Sequence, residues 1–359
     1  MLVAKLVEPY RFELLDQPIP APGPDEVVLK NIYLGVCTSD LQIYHGKHAY
    51  AAMPVVLGHE EAGIVYQVGG NVTDWKPGDR VILQPQRFCR RCHPCRSGHF
   101  NVCEDLKVIG VHTDGCACEY TAVPAWNLHA LPENVSFRDA ALIEPMAVGF
   151  GVVRRVNEVS DIKGKKVCVV GAGTIGNLVA QACKAMGAGQ VMVTDILEGK
   201  LKLAAQCGAD FTANTGKQSL ADAISACFGS DGADIIVDSA ANPVVFRSIM
   251  DAARKASIVV MSGNYKEPVS FDITQLQRRE ITMLGHMMYI RQEFDDALEQ
   301  LSLGNIRTEG LITQEWTLEQ YPQAFRFMDE HPSEVVKMVV RISGGETLQQ
   351  AGAPAPTPG

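Results

Sequence analysis

The sequence predicts an α/β protein with two parts, a β-rich unit followed by a doubly wound parallel sheet. Up to about residue 150, short β-like runs such as VVLKNIYLGV and GDRVILQP are separated by Gly, Pro and Asp, which indicates a compact, mostly β unit. From Lys165 onward, apolar strands alternate with amphipathic helices, the pattern of a parallel sheet covered on both faces. The 359 residues also exceed the size at which a single core keeps growing, so about two domains are expected.

The pattern sets approximate boundaries for these parts. We place the β-rich unit at residues 1–149 and the parallel-sheet unit at residues 150–288. A helical segment and the closing strand VVKMVVRI indicate that residues 289–343 return to the first unit. Residues 344–359 are small and Pro-rich, so they are predicted to form a disordered tail.

Composition indicates which class of partner the protein binds and in which cellular compartment it works. A formal net charge of −9 argues against general affinity for nucleic acid or for an anionic membrane, because both require a concentrated positive field. A small molecule is therefore the expected partner. The N-terminus shows no secretion-signal pattern and the chain has 11 cysteines, an odd number, so we expect a reducing cytoplasm, where clustered cysteines favour metal ligation over disulfides.

A glycine motif opens the parallel-sheet unit. In KKVCVVGAGTIGNLVAQACKAMGAGQVMVTD, a G-x-G-x-x-G motif lies between an apolar strand and an amphipathic helix, and Asp195 ends the next strand. A βαβ unit whose glycines only make a turn is the alternative. Asp195 would accept hydrogen bonds from the adenosine ribose, and since Ile196 offers no charge for a 2′-phosphate, NAD is favoured over NADP. The predicted cofactor-binding residues of the turn are Gly171, Gly173, Thr174, Ile175 and Gly176.

Four cysteines in fifteen residues form the second motif, FCRRCHPCRSGHFNVC. The spacing C-x2-C-x2-C-x7-C is compact enough for one tetrahedral zinc with four thiolates, a closed coordination that serves structure, not substrate binding. Two disulfides are the alternative, and His93 or His99 could replace a sulfur ligand. The predicted ligands of this structural zinc are Cys89, Cys92, Cys95 and Cys103.

A sparser set of potential ligands comprises Cys37, the pair His59 and Glu60, and Glu144. Taken singly, such residues are more often core or surface positions than ligands. Beside a nicotinamide site their combination indicates a second zinc with an open position, because such a metal lowers the pKa of an alcohol hydroxyl before hydride transfer.

These motifs together resemble the zinc-dependent medium-chain alcohol dehydrogenases. The resemblance runs from about residue 1 to 343 and rests on the run from Gly58 to Val72, the Cys37 fragment, the cysteine lobe, the Pro-Gly-Asp-Arg turn at 77–80 and the glycine motif. LPENVSFRDAALIEP and VMVTD most resemble the sorbitol and threonine dehydrogenase branch. The resemblance implies a GroES-like catalytic domain and a Rossmann cofactor domain with the active site between them.

Site roles follow from the same resemblance. Cys37, His59 and Glu144 are implied to surround the catalytic zinc, with Glu60 able to enter or leave its coordination. Ser39 matches the hydroxyl that starts a proton relay, Lys200 a residue at the adenosine ribose, and Lys337 a basic residue near the pyrophosphate.

Several positions depart from the family pattern. Threonine dehydrogenases typically have His at Gln42, although His45 and His48 lie nearby, and sorbitol dehydrogenases often have Arg at Met288. The pair Cys116 and Cys118 replaces a common Gly-Phe, and packing within a strand is favoured there over a redox or metal role.

We therefore expect NAD-dependent, reversible oxidation of a secondary alcohol, such as a polyol, a sugar-derived acid or an amino alcohol, with two zinc ions per chain. The family suggests a homodimer or homotetramer, with the strand near ITMLGHMM as a possible pairing edge. The alternatives are a zinc-free quinone or enoyl reductase of the same superfamily and a non-catalytic dinucleotide-binding sensor.

Overall fold

A computed structural model describes residues 1–51 and 53–343. The predicted tail, 344–359, lies outside the described residues. Within the described part, no helix is long and apolar enough to cross a membrane.

The first 140 residues form mainly short antiparallel strands, interrupted by three short helices. The strands are β1 (Leu2–Glu8), β2 (Arg11–Asp16), β3 (Glu26–Val36), β4 (Val55–Val56), β5 (Glu60–Val68), β6 (Arg80–Leu83), β7 (Gln86–Arg87), β8 (Lys107–Val108), β9 (Tyr120–Pro124) and β10 (Leu128–Ala130). The helices are α1 (Thr38–Tyr44), α2 (His93–Arg96) and α3 (Phe137–Ala140). Short 3₁₀ turns occur at Phe100–Val102, Ala125–Asn127 and Leu318–Gln320.

The middle of the chain is a parallel α/β unit, which the chain enters through α4, so the predicted boundary at residue 150 falls within this helix. Its elements are α4 (Ile143–Asn157), β11 (Lys166–Val170), α5 (Thr174–Ala185), β12 (Gln190–Asp195), α6 (Glu198–Gln206), β13 (Phe211–Asn214), α7 (Leu220–Phe228), β14 (Ile235–Asp238), α8 (Pro243–Ala252), β15 (Ile258–Met261), α9 (Thr274–Arg279) and β16 (Thr282–Gly285). The six strands are all parallel, in the order β13-β12-β11-β14-β15-β16. In order along the chain this is 3-2-1-4-5-6, the arrangement of a Rossmann sheet.

The parallel sheet is buried on both faces because successive side chains of a strand point to opposite sides. Along β11, Val167 and Val169 join one apolar cluster, whereas Cys168 and Val170 join another on the other face. This explains why the run VCVV, residues 167–170, is continuously apolar and not alternating. The doubly wound sheet predicted from the sequence is thus present.

The chain then returns to the first unit. The last elements are α10 (Arg291–Ser302), β17 (Ile312–Thr317), α11 (Tyr321–Glu330) and β18 (Lys337–Arg341). Strand β18 pairs antiparallel with β3, which extends a seven-stranded sheet of order β10-β6-β5-β3-β18-β17, with β9 also on β3. A smaller sheet of order β2-β1-β4 and the pair β7-β8 complete the β-rich unit.

Helix α4 connects the two units. Its buried side chains, including Met146 and Phe150, belong to one apolar cluster that also contains Ile64 of β5 and Val193 of β12. Burial of apolar surface stabilises a fold by about 25 cal/mol per Å², and α4 buries such surface against both units. The residues at its N-terminus are therefore held firmly between the units.

Candidate active site and metal centres

Four cysteine side chains converge in the lobe at residues 89–103. The sulfur atoms of Cys89, Cys92, Cys95 and Cys103 all lie within 4.8 Å of one another. The Sγ atoms of Cys92 and Cys103 are 3.8 Å apart. A tetrahedral zinc with Zn–S bonds of about 2.3 Å places its sulfurs about 3.8 Å apart, so the cluster has the dimensions of a four-thiolate zinc cage.

The local backbone favours thiolates in this lobe. The amide of Cys92 donates to Cys89 Sγ at 3.3 Å, and the amide of Cys89 donates to Cys103 Sγ at 3.3 Å. Backbone N–H groups of Arg91 and Cys92 lower the pKa of Cys89 to about 6, whereas burial raises the pKa of Cys95 to about 12. A bound zinc would hold all four as thiolates. All eleven cysteines are free thiols, so the fold forms neither of the alternative disulfides.

Replacing Cys103 with serine should remove one zinc per chain and loosen the lobe, because α2 has only four residues and metal binding must supply the energy that orders the segment. Zinc content by mass spectrometry should fall from two ions to one. Tryptic cleavage at Arg90, Arg91 and Arg96 should accelerate by about tenfold or more. Cys227→Ser, a half-buried cysteine of the Rossmann unit, is the matched control. A Cys103→Ser protein that kept two zinc ions would contradict the cage assignment.

A second set of ligand atoms converges where three elements of the β-rich unit meet. Donor atoms of Cys37, His59 and Glu60 all lie within 4.8 Å of one another. Cys37 immediately precedes α1, His59 precedes β5, and Glu60 is the first residue of β5. Glu144, near the start of α4, is close enough for the charges of His59 and Glu60 to act on its carboxyl group. Three of the four residues predicted from distant parts of the sequence are thus brought together, and Glu144 lies near them.

Asp40 fixes two members of this set. Its carboxylate is completely buried; one oxygen accepts a hydrogen bond from the Cys37 amide at 3.0 Å, and the other lies 3.3 Å from His59 Nδ1. Since Nδ1 faces Asp40, Nε2 of His59 is left to face a metal. A carboxylate behind a histidine ligand holds the ring and raises its basicity, so Asp40 supports a metal site here.

Glu60 occupies a tight, charged position. Gly35 on the neighbouring strand leaves the space for it, because a Cβ at Gly35 would lie 2.1 Å from Glu60 Oε2. The same oxygen accepts a hydrogen bond from the ammonium group of Lys337, which also donates to Val36 O at 3.1 Å. Lys337 and Glu60 are both buried, so this is an ion pair shielded from water.

Glu144 has a different partner. Its Oε1 accepts a hydrogen bond from the hydroxyl of Tyr289 at 2.5 Å, and both side chains are buried. Burial raises the pKa of Glu144 to about 7, with the Glu60 charge adding to the effect and His59 opposing it. Burial lowers the pKa of His59, but the opposing effects of Asp40 and Cys37 are larger, so the pKa lies well above its ordinary value. A bound divalent ion would instead keep His59 neutral and Glu144 ionised. This mixed S, N and O donor set fits zinc.

The glycine turn of the Rossmann unit has the geometry that a dinucleotide requires. A Cβ at Gly176 would lie 1.7 Å from Gly171 O, so α5 can approach β11 this closely only with glycine. Apart from Gly173 and its two chain neighbours, no atom of the described residues lies within 4 Å of the Cβ position at Gly173, so a phosphate could approach the backbone at the start of α5. Asp195 ends β12 and accepts hydrogen bonds from the amides of Ala172, Ile196 and Leu197 at 2.8–3.0 Å.

Comparison with known proteins decides the family. The family model for the alcohol dehydrogenase GroES-like domain matches residues 23–133, and the model for zinc-binding dehydrogenases matches residues 174–302. The chain belongs to the zinc-dependent medium-chain alcohol dehydrogenases. The fold class, the family and the reaction class predicted from the sequence are confirmed, and zinc and NAD(P) are the cofactors of this dehydrogenase.

Proteins similar to this chain are named as dehydrogenases or reductases of polyols, sugars and sugar acids. D-xylulose reductase of Saccharomyces cerevisiae is 32% identical over 93% of this chain and 96% of its own length. The 2-dehydro-3-deoxy-L-galactonate 5-dehydrogenase of Pseudoalteromonas atlantica is 30% identical, covering 94% and 98% of the two chains. Among solved structures, galactitol-1-phosphate dehydrogenase from Escherichia coli superposes with a TM-score of 0.89 at 28% identity, covering 95% and 100%. An Escherichia coli alcohol dehydrogenase complexed with NADH, rspB, gives a TM-score of 0.88 at 30% identity, covering 95% and 99%.

The contacts of three further residues, to which the resemblance assigns roles in the proton relay and in cofactor binding, define those roles less closely. Ser39 is half-buried on α1, two residues after Cys37, and Lys200 is half-buried in the first turn of α6. The resemblance implies a place near the pyrophosphate for Lys337. Its ammonium instead pairs with Glu60, although the neighbouring Val336 O accepts a hydrogen bond from Thr174 of the glycine turn. The backbone before Lys337 therefore borders the cofactor site while its side chain points to the metal site.

The positions that depart from the family pattern fall into two groups. His45 Nε2 lies 3.0 Å from an Asp329 oxygen. The pKa of His48 is lowered mainly by burial, and the charges of Asp40 and His59 also act on it. His48 is thus close enough to Asp40 and His59 for their charges to act on its ring. Cys116 and Cys118 are buried in the β-rich core, as the packing interpretation predicted, but they lie in the segment between β8 and β9 and not within a strand. Burial raises the pKa of Cys118 to about 12.

Sequence reasoning assigned no role to Asp40 or Tyr289. Asp40 carries a recognisable signal, since an acidic residue three positions after Cys37 can cap the start of a helix. Tyr289 carries none, because its contact with Glu144 spans 145 positions.

Proposed function

We propose that this enzyme catalyses the reversible NAD-dependent oxidation of a secondary alcohol at a zinc held by Cys37, His59, Glu60 and Glu144. The observation that carries the proposal is the convergence of the Cys37, His59 and Glu60 donor atoms within 4.8 Å, with Glu144 beside them, in a chain that also has a Rossmann glycine turn. The separate lobe at residues 89–103 would hold a second, structural zinc.

The bound zinc would act as a Lewis acid that lowers the pKa of the alcohol hydroxyl. Cys37, His59 and the two glutamates would hold it, and Asp40, 3.3 Å from His59 Nδ1, would orient the ring from behind. Ser39, half-buried on α1, would accept the hydroxyl proton and pass it toward solvent. The bound NAD would accept the carbon-bound hydrogen as hydride, and the glycine turn of the Rossmann unit would hold its pyrophosphate.

NAD is the proposed cofactor in preference to NADP. Asp195 lies at the end of β12 with its carboxylate fixed by three backbone amides, and Ile196 beside it is 66% exposed. A carboxylate accepts hydrogen bonds from ribose hydroxyls and repels a 2′-phosphate. Lys200, in the first turn of α6, would contact the same ribose.

A polyol, a sugar-derived acid or an amino alcohol is the proposed substrate class. Support comes from the similar D-xylulose reductase and 2-dehydro-3-deoxy-L-galactonate 5-dehydrogenase. His48, half-buried shortly after α1, offers a hydrogen-bonding ring whose pKa is lowered by burial. Such a side chain suits hydroxyl-rich ligands.

We further propose a cytoplasmic homodimer or homotetramer in which residues 1–149 and 289–343 form the catalytic unit and residues 150–288 the cofactor unit. Strand β16 is the last strand at one end of the parallel sheet, with β15 as its one partner among the described strands. An edge of this kind can pair with the same strand of a second copy.

The function is tested with a panel of secondary alcohols, each incubated with NAD and then with NADP. NADH formation should appear for at least one polyol, sugar acid or amino alcohol, with kcat/KM higher for NAD than for NADP because Asp195 repels the 2′-phosphate. Enzyme stripped of metal by a chelator is the control. Zinc-independent reduction of a quinone or an enone, with no alcohol oxidised, would instead support the zinc-free reductase alternative.

A further inference from the structure

Tyr289 occupies the segment through which the chain passes from the Rossmann unit back to the catalytic unit. This crossover segment, residues 286–290, lies between β16 and α10. Tyr289 is fully buried, and its hydroxyl donates to Glu144 Oε1 at 2.5 Å. The phenol therefore reaches a proposed zinc ligand from an element that does not itself contribute a ligand.

We propose that Tyr289 is a positioning residue that fixes the carboxylate of Glu144 and thereby sets how firmly the catalytic zinc is held. The inference rests on the proposed function, because it requires a metal at Cys37, His59, Glu60 and Glu144. It adds a residue outside that set, acting through Glu144.

The phenol is positioned by contacts that do not involve the side chains of the proposed catalytic-zinc ligands. Gln86 Nε2 donates to Tyr289 O at 2.8 Å, and Asn101 Nδ2 donates to Met287 O at 2.6 Å. The Tyr289 ring also packs edge-on against Phe294, with centroids 4.9 Å apart. Since Asn101 belongs to the 3₁₀ turn inside the cysteine lobe, the lobe itself helps to hold the crossover segment in place.

The two glutamates of the site are held by chemically different partners. Glu60 is paired with the Lys337 ammonium, which cancels its charge, whereas Glu144 is held by a neutral hydroxyl. A neutral donor orients Glu144 Oε1 without cancelling the negative charge that a cation needs, and it leaves Oε2 available. Partners behind a ligating carboxylate commonly change metal affinity or activity by about 10–100-fold when removed.

The first experiment is Tyr289→Phe, which removes one buried oxygen and keeps the ring that packs on Phe294. Zinc transfer to a chromophoric chelator should be followed in the intact enzyme, where the four-thiolate zinc serves as an internal reference. The faster phase should release its zinc about 10–100-fold more rapidly than in the wild type, and the slower phase should be unchanged. NAD affinity, measured by fluorescence, should also be unchanged.

A double-mutant comparison then distinguishes action through Glu144 from a general packing effect. In a Glu144→Ala background, Tyr289→Phe should cause no further acceleration of zinc release, because its partner is absent. The matched control is Tyr321→Phe, another fully buried tyrosine of the catalytic unit, whose hydroxyl has no hydrogen-bond partner among the described residues. It should release zinc at the wild-type rate.

Two results would overturn the inference alone: unchanged zinc release in Tyr289→Phe, or an equal acceleration with and without Glu144. An enzyme that binds one zinc per chain, in the lobe only, would overturn the proposed function as well.

Discussion

Replacing His59 with alanine is expected to reduce turnover by about 10³-fold or more, because it removes the nitrogen ligand of a metal that supplies several kcal/mol of transition-state stabilisation. Cys37→Ser should have a comparable effect, since Cys37 is the one sulfur in the set of Cys37, His59 and Glu60. NAD binding should be unaffected because the Rossmann turn lies in the other unit.

The fold should largely survive either change. In His59→Ala the buried Asp40 loses the ring beside one oxygen but keeps the Cys37 amide on the other, so the expected cost is about 1–3 kcal/mol. His45→Ala is the matched control, because that histidine contacts Asp329 instead and should leave activity near the wild-type level.

Zinc content and steady-state kinetics provide the measurement. His59→Ala and Cys37→Ser should each contain one zinc per chain, the lobe zinc. Mild chelation of the wild type should likewise remove the catalytic metal first, because its coordination is open and mixed. Near-normal activity of either variant on the best substrate would show that Cys37 and His59 do not hold the catalytic metal.

The local motifs could be predicted from the sequence because their geometry is set within short segments. The cysteine spacing at 89–103 confines four sulfurs to one lobe, and the glycine spacing at 171–176 fixes a strand–turn–helix. In both cases chain connectivity alone brings the groups together. No fold needs to be known to expect the contact.

The candidate active site is different because its parts come from distant segments. Nothing local connects Cys37 with Glu144, and only the resemblance to a family joined them. The contact between Tyr289 and Glu144 and the ion pair between Lys337 and Glu60 arise only after β18 has paired with β3 and the crossover segment has packed beside α4. Such contacts depend on tertiary packing, for which sequence spacing carries no signal.

Exchanging cofactor preference is the second large effect that we expect. Asp195 uses its carboxylate both to order the loop and, as proposed, to bind the ribose, because the amides of Ala172, Ile196 and Leu197 already donate to it. Replacing it with serine keeps a short acceptor for the amides just after the strand while removing the negative charge. Ile196 is 66% exposed, so an arginine there should not disturb packing.

The double variant Asp195→Ser/Ile196→Arg should therefore raise the ratio of kcat/KM for NADP to that for NAD by about 100-fold or more, since repulsion of the 2′-phosphate is replaced by a guanidinium that can bind it through two hydrogen bonds. Affinity for NAD should fall, because each charged hydrogen bond to the ribose is worth about 1.5–3 kcal/mol.

Ile196→Arg alone is the control and should give a smaller change, because the carboxylate still opposes the phosphate. The ranking of alcohol substrates should stay the same in all three proteins, since the zinc site lies in the other unit. A wild type that already used both cofactors equally, or a double variant with an unchanged ratio, would mean that the end of β12 does not contact the adenosine ribose.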